Sequence, residues 1–230
     1  MLRFSLVILV MLVTSQNSAL GEKLLDPAMI KYNNQILNAR PKLLKDDGRP
    51  KASVGTVLYV CNSEMQPFLL IGQESSSKTG GDTYCELGGS MELDDSNKSE
   101  TFLEGCIREC KEESGGLYRL DPEYVLSNSY TYHNISPSQR EEVYIFIKAP
   151  HYHTANDLLT ETKKHNEFEY KEKSDFKWVA LSDLQRCDSK NKCDVHDIDG
   201  QKSKIQLRKY FYKAMTSPKV GEILGQICSS

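Results

Sequence analysis

"CELGGSMELDDSNKSETFLEGCIRECKEESGG", residues 85–116, carries seven Glu and two Asp against only three basic residues. Inside it Phe102, Leu103, Cys106, Ile107 and Cys110 recur at 3–4 spacing, the period of a helix that buries one stripe. The pattern starts near Glu100. Ser114-Gly115-Gly116 stops it, because glycine takes the left-handed cap at no steric cost. Residues three or four apart share a helix face, so Glu109, Glu112 and Glu113 project together while Cys106, Ile107 and Cys110 turn towards a sheet. Glu100 and Glu104 lie nearer the helix start, where the macrodipole favours negative charge. The later three have no such support, and carboxylates about 5–6 Å apart repel. A hard divalent cation relieves that repulsion, and Mg2+ favours a few carboxylates plus water and phosphate oxygens. The plain alternative is a solvated face with Arg108 and Lys111 as counter-charges. Gly88-Gly89, read as a turn, lets backbone pass close enough for a main-chain oxygen or amide to join a metal or phosphate site.

Outward from this stretch, "ASVGTVLYVC" and "PFLLIGQES" read as two strands joined by "NSEMQ" in a hairpin. "SSSKTGGD" reads as a loop and "TYCELGG" as a short strand entering the glycines. "EYVLSNSYTYH" and "EEVYIFIKA" read as two more strands, and residues 151–173 as a polar segment, mostly loop with room for a short helix. "DFKWVALSDL" reads as a strand running into a turn and helix start. Upstream, "LLDPAMIKYNNQILNAR" forms a helix with Asp26 as N-cap and Pro27 at its first position. Downstream, "SKIQLRKYFYKAM" reads as a helix that Pro218 separates from a final short one, "VGEILGQIC". Strands flanking an internal helix, with helices at both ends, imply a layered α/β or α+β domain.

The N-terminus has the layout of a secretory signal peptide. Arg3 supplies the positive start, Phe4 to Val13 the apolar run, and Ala19-Leu20-Gly21 the small-residue cleavage site. The run is about half of the roughly 20 residues a membrane span needs, so no stable anchor is expected after cleavage. The expected division is signal peptide 1–21, helical extension 22–51, catalytic-type domain 52–186 and a C-terminal helical segment 187–230. Export permits disulfides, and seven Cys leave at least one thiol unpaired within the chain. Cys187 and Cys193, in the turn-rich "CDSKNKC", are the favoured pair; Cys106 and Cys110 read as small packing residues. A net charge of -3 gives no footprint for nucleic acid or an acidic membrane. The oligomeric state is left open.

"RECKEESGG", residues 108–116, resembles the R-E-U-x-E-E-x-G half of the Nudix box, and Glu100 stands at its E-x7-R spacing from Arg108. "YCELGGSME" is similar to the strand and glycines that enter the box, and "DFKWVALSDL" to the family's closing strand. The likeness spans residues 52–184. Ten residues separate Gly89 from Glu100 where the signature has five, so "ELDDSNKS" carries a five-residue insertion. Leu87 replaces the customary proline, Cys110 the bulky aliphatic residue, and Gly116 another aliphatic. The resemblance implies an α/β/α sandwich with a mixed sheet and added terminal helices. It also implies hydrolysis of the diphosphate bond of a nucleoside diphosphate linked to a group X, a small-molecule nucleotide. By position, Glu109, Glu112 and Glu113 would hold Mg2+ (Mn2+ as the alternative), with the Gly89 carbonyl a further ligand and Glu100–Arg108 an orienting ion pair. The general base is either a helix glutamate or a distal carboxylate, Glu172 first and Glu167 or Glu169 behind it. Tyr130, Tyr132 and Trp178 are stacking candidates or core, and Arg49 and Lys51 meet phosphate or solvent. ADP-ribose-like, dinucleotide and cap-like compounds all fit. The competing reading is a secreted module that keeps the fold and binds without turnover. Asn97, in the sequon Asn97-Lys98-Ser99, would place any glycan beside the site.

Overall fold

A computed structural model describes residues 27–75, 81–94, 96–136, 138–167, 170 and 172–228. The expected signal peptide, Asp26, most of the expected loop after residue 75, and Glu169 lie outside them. The two apolar runs form β1 (Ala52–Cys61) and β2 (Pro67–Glu74), paired antiparallel only at their joined ends, Tyr59 opposite Leu69 and Cys61 opposite Pro67. Asn62 sets the turn: its Oδ1 accepts from the N–H groups of Glu64 and Gln66. β1 is paired in parallel along most of its length with β6 (Glu141–Lys148), which pairs antiparallel with β5 (Ser129–Ile135). β7 (Lys173–Ala180) runs antiparallel along the whole of β2.

These pairings leave β1 and β2 one shared edge each, and beyond Tyr59 and Leu69 they splay apart. The segment 84–90 fills the fork. β3 (Tyr84–Cys85) pairs with the end of β2, and β4 (Leu87–Ser90) pairs with the start of β1, Gly88 opposite Gly55 and Gly89 opposite Val54. The two glycines are therefore strand residues rather than the expected turn. Small residues are needed there because a Cβ on Gly88 would overlap the Val54 carbonyl oxygen.

Alternation along β1 divides the core into two layers. Val54 and Leu58 join Leu70, Leu87, Phe102, Cys106 and Trp178 under α1 (Pro27–Leu37), α2 (Phe102–Glu113) and α3 (Pro122–Asn128). Val57, Leu69, Ile71 and Val179 form the opposite layer with α5 (Leu181–Leu184), α6 (Lys209–Met215) and α7 (Pro218–Ile227), through Leu184, Phe211, Val220 and Leu224. α4 (Ala155–Thr162) packs on β7 and buries Leu158. The result is an α/β/α sandwich around a mixed sheet.

Three expectations change. "EYVLSN" is helix, not strand: Asp121 caps it by accepting from the Tyr124 N–H, Pro122 follows at the first turn, and the strand begins at Ser129. "KSKIQ" is strand: β9 (Lys202–Gln206) pairs with β8 (Lys192–His196), burying Val195 and Ile205 and exposing their neighbours. The segment 187–230 is thus a hairpin followed by two helices. Its period-2 burial overrode the helix propensity of its lysines. Two disulfides bolt it down. Cys187–Cys193 closes the small ring at the foot of the hairpin, and Cys61–Cys228 ties the end of α7 to the end of β1. Cys85, Cys106 and Cys110 are free and buried.

Candidate active site

α2 is held at both ends. Thr101 and Glu104 form a reciprocal capping box, Thr101 Oγ1 accepting from the Glu104 N–H and Glu104 Oε2 from the Thr101 N–H. Beyond Glu113, Gly115 and Gly116 take φ of 66° and 79°, and Gly115 lies so close to Thr162 that a side chain would strike its backbone. Between the caps the apolar stripe presses Cys106 and Cys110 onto the sheet, and Thr56 Oγ1 donates to the Cys106 carbonyl. That docking aims Glu109 and Glu113, one turn apart, at β4.

Both carboxylates are buried, Glu109 at 6% exposure and Glu113 at 1%. Gly89 faces Glu109 directly, and a Cβ there would overlap its carboxylate. Glu113 Oε2 accepts from the Gly88 N–H at 2.6 Å, while Glu113 Oε1 is buried with no partner. Burial drives both acids upward: Glu109 titrates at about 7, with Arg108 opposing and Glu112 and Glu172 reinforcing the shift. Glu113 is raised well above the ordinary range by burial, against the pull of Lys173.

Arg108 gathers the remaining acids. It forks onto Glu100 at 2.7 and 3.2 Å, and Nη1 reaches Glu109 at 2.9 Å and Glu112 at 3.2 Å. Nη2 also donates to the Ser90 carbonyl, fastening β4 to the helix. The inserted residues leave this geometry intact. Leu93 bridges Ser99, and Asp94 Oδ1 accepts from the N–H groups of Ser96 and Lys98, so the insertion closes on itself with Asn97 exposed at its tip.

The second cation has no local signature. Lys173, fully buried at the start of β7, places Nζ 2.9 Å from Glu74 Oε1 and 3.3 Å from Glu113 Oε2. Burial opposes its charge, and the neighbouring acidic groups, Glu113 and Glu74 among them, more than restore it. Cys85 Sγ and Arg208 Nη1 also contact Glu74 Oε1, at 3.0 and 3.3 Å. Glu74, Lys173 and Arg208 come from elements far apart in sequence. Strand pairing alone brings them together.

Glu172 sits just before Lys173, and its charge acts on both Glu109 and Glu113. Glu167 is exposed, 3.8 Å from His165. Trp178 is core, 2% exposed with Nε1 donating to the His153 carbonyl, and Arg49 is an exposed partner of Asp47. Neither belongs to the acidic site. A cavity of about 870 Å³, lined by Tyr59, Asn62, Tyr130, Lys148 and His151, lies at the far end of β1 and β6 and includes none of the box residues.

The site is thus a buried pair of carboxylates on a helix facing a glycine strand, with an arginine clamped onto one of them. The NUDIX domain model matches residues 50–196, and the chain belongs to the Nudix family, hydrolases of pyrophosphate bonds. The fold is similar to that of the Nudix hydrolase RenU from M. smegmatis, 14% identical over 80% of this chain and 94% of that one, TM-score 0.46. It is also similar to a MutT protein from Methanosarcina mazei Go1 (15% identity, 78% and 95% covered, TM-score 0.42) and a C. elegans Ap4A hydrolase (16%, 57% and 81%, TM-score 0.36). No curated protein matches the chain.

Nudix hydrolases generally use divalent metal ions such as Mg2+. Among the described residues no group of three or more His, Cys, Asp or Glu is arranged to hold one; Arg108 and Lys173 are the cations that contact these acids. The donor set still fits such an ion. Glu113 Oε1 is an orphaned buried oxygen, Glu109 is an anion that burial disfavours, and both are hard oxygen ligands. Two disulfides form, which is compatible with secretion; no described helix is long and apolar enough to cross a membrane.

Proposed function

We propose that this protein is a secreted, Mg2+-dependent pyrophosphohydrolase that cleaves the diphosphate of a nucleoside diphosphate linked to X. The supporting observation is the orphaned Glu113 Oε1 beside Glu109, in a place where no side chain separates helix from strand. Glu109 and Glu113 would hold the ion, with Glu112 and the Gly89 carbonyl as further ligands. When bound, Mg2+ supplies neutralisation of the diphosphate charge and activation of the attacking water.

The chain's own residues do the rest by positioning. Arg108 contacts Glu100, Glu109 and Glu112 together, so their carboxylates are pre-set before substrate arrives. The Gly88 N–H fixes one oxygen of Glu113 and leaves the other free. Glu172 accepts the proton of the attacking water, whose oxygen bonds to phosphorus as the P–O–P bridge breaks and the departing phosphate carries the bridging oxygen. ADP-ribose-like, dinucleotide and cap-like compounds remain the substrate classes.

A second reading, a silent binding module, draws support from the same ion pairs. Arg108 and Lys173 already counter the acidic face without any metal. Residues 22–230 assayed against ADP-ribose, NAD, diadenosine polyphosphates, nucleotide sugars and capped RNA separate the two. Turnover with Mg2+ that disappears with EDTA and falls at least a hundredfold in Glu112→Gln supports the enzyme. Ligand binding in calorimetry with no turnover across the panel supports the module.

A further inference from the structure

Arg208 lies beyond the matched residues 50–196, in the part of the chain that the family pattern leaves open. Its position is nonetheless tightly built. Leu207 is fully buried and bridges Tyr84 of β3, the Arg208 N–H donates to the Tyr84 carbonyl, and Asn191 bonds Leu207 through both its carbonyl and its side-chain amide. Asn191 in turn sits inside the ring closed by Cys187–Cys193. The hairpin therefore delivers one backbone position to the edge of the fork, and the side chain there is an arginine.

That side chain points into the acidic site. Nη1 is 3.3 Å from Glu74 Oε1, the oxygen that Lys173 Nζ reaches at 2.9 Å, and Lys173 Nζ is 3.3 Å from Glu113 Oε2. Lys173, shared with Glu113, makes the closer contact to Glu74; Arg208 makes the longer one, and the charge of Glu86 also acts on it. The two cations differ in access: the Lys173 side chain is 0% exposed and that of Arg208 is 44% exposed. The Lys173 side chain is sealed, whereas the Arg208 side chain is partly open to solvent, three contacts away from the proposed metal carboxylate. A guanidinium is always charged, and its planar fork matches two phosphate oxygens.

We infer that Arg208 binds the substrate's phosphate chain, taking a phosphate oxygen at the end opposite the Glu109–Glu113 pair. The inference rests on the diphosphate reading above and adds a residue to it, one supplied by the C-terminal hairpin rather than by the box. Arg208 thereby helps determine which anionic substrates are held, while the box carboxylates determine whether metal is held.

The test is calorimetric titration of methylenediphosphonate, a diphosphate that cannot be hydrolysed, into residues 22–230 with saturating Mg2+. Mn2+ affinity by electron paramagnetic resonance and thermal stability are measured in parallel. Arg208→Gln is expected to weaken diphosphonate binding roughly tenfold, the worth of one charge-assisted hydrogen bond, with Mn2+ affinity within about twofold of wild type. Arg208→Lys, which keeps the charge, is expected to recover part of the loss and guards against misfolding of the first variant. Diphosphonate binding unchanged in Arg208→Gln overturns the inference and leaves the metal reading intact. Joint loss of diphosphonate, Mn2+ and thermal stability in both variants also overturns it, assigning Arg208 to structure. A wild-type protein that binds Mn2+ but no diphosphonate sinks the substrate reading itself.

Discussion

Glu109 is the residue at which burial and function oppose each other most measurably. Its carboxyl titrates at about 7 in the folded protein, against an ordinary value of 4.5, chiefly because it is buried. A folded pKa raised above the unfolded one means that stability is fully present below about pH 4.5 and is lost as pH rises through about 7. Raising this carboxyl from 4.5 to about 7 corresponds to about 3–4 kcal/mol in all, of which about 3 kcal/mol falls between pH 4.5 and 8. The perturbation is Glu109→Gln, which keeps the shape and cannot ionise. Urea denaturation of both proteins in EDTA, from pH 4.5 to 8, gives the difference in stability at each pH. Wild type is expected to lose about 3 kcal/mol relative to the variant across that range, because the surface acids titrate alike in both proteins while the Glu109 charge, which also pushes Glu113 up, is present only in wild type. Mg2+ added at pH 7.5 is expected to restore wild type and leave the variant unchanged, since an ion that binds only the folded state stabilises it. A flat difference curve would refute the argument. So would wild type gaining stability with pH, because Arg108 would then outweigh burial at this carboxylate.

Other outcomes follow from the same geometry. Gly89→Ala places a methyl group on the Glu109 carboxylate; Mn2+ affinity should fall at least tenfold and stability by about 1–3 kcal/mol, read by paramagnetic resonance and urea melts. Cys61→Ser opens a disulfide that closes a sequence separation of 167 residues. Calorimetry should show a loss of about 4 kcal/mol, with Mn2+ affinity retained because the bond lies at the far end of β1.

Much of this protein is legible along the chain because the relevant signals are local. The period of Phe102, Leu103, Cys106 and Cys110 marks the box helix, and the spacing Glu100–Arg108 marks an ion pair that forms at 2.7 Å. The Cys187–Cys193 ring needs only a tight, polar loop. Local signals also misled where tertiary pairing overrode them: lysine-rich "KSKIQ" looks helical until its partner strand "KCDVH" is known. "DPEY" carried a helix start, Asp then Pro, that the aromatic and β-branched residues beside it obscured.

The sequence by itself therefore determined the family, the acidic helix and the short disulfide, since each depends on residues within a few turns of one another. Only the tertiary structure decided what surrounds those acids. Glu74, Lys173 and Arg208 meet because β2 pairs with β7 and the hairpin end lies against β3; Cys61 meets Cys228 because α7 packs on the sheet. Contacts between residues about 100 or more apart leave no periodicity in the chain. Their geometry comes from strand register and layer packing, which emerge only when the whole sheet is assembled.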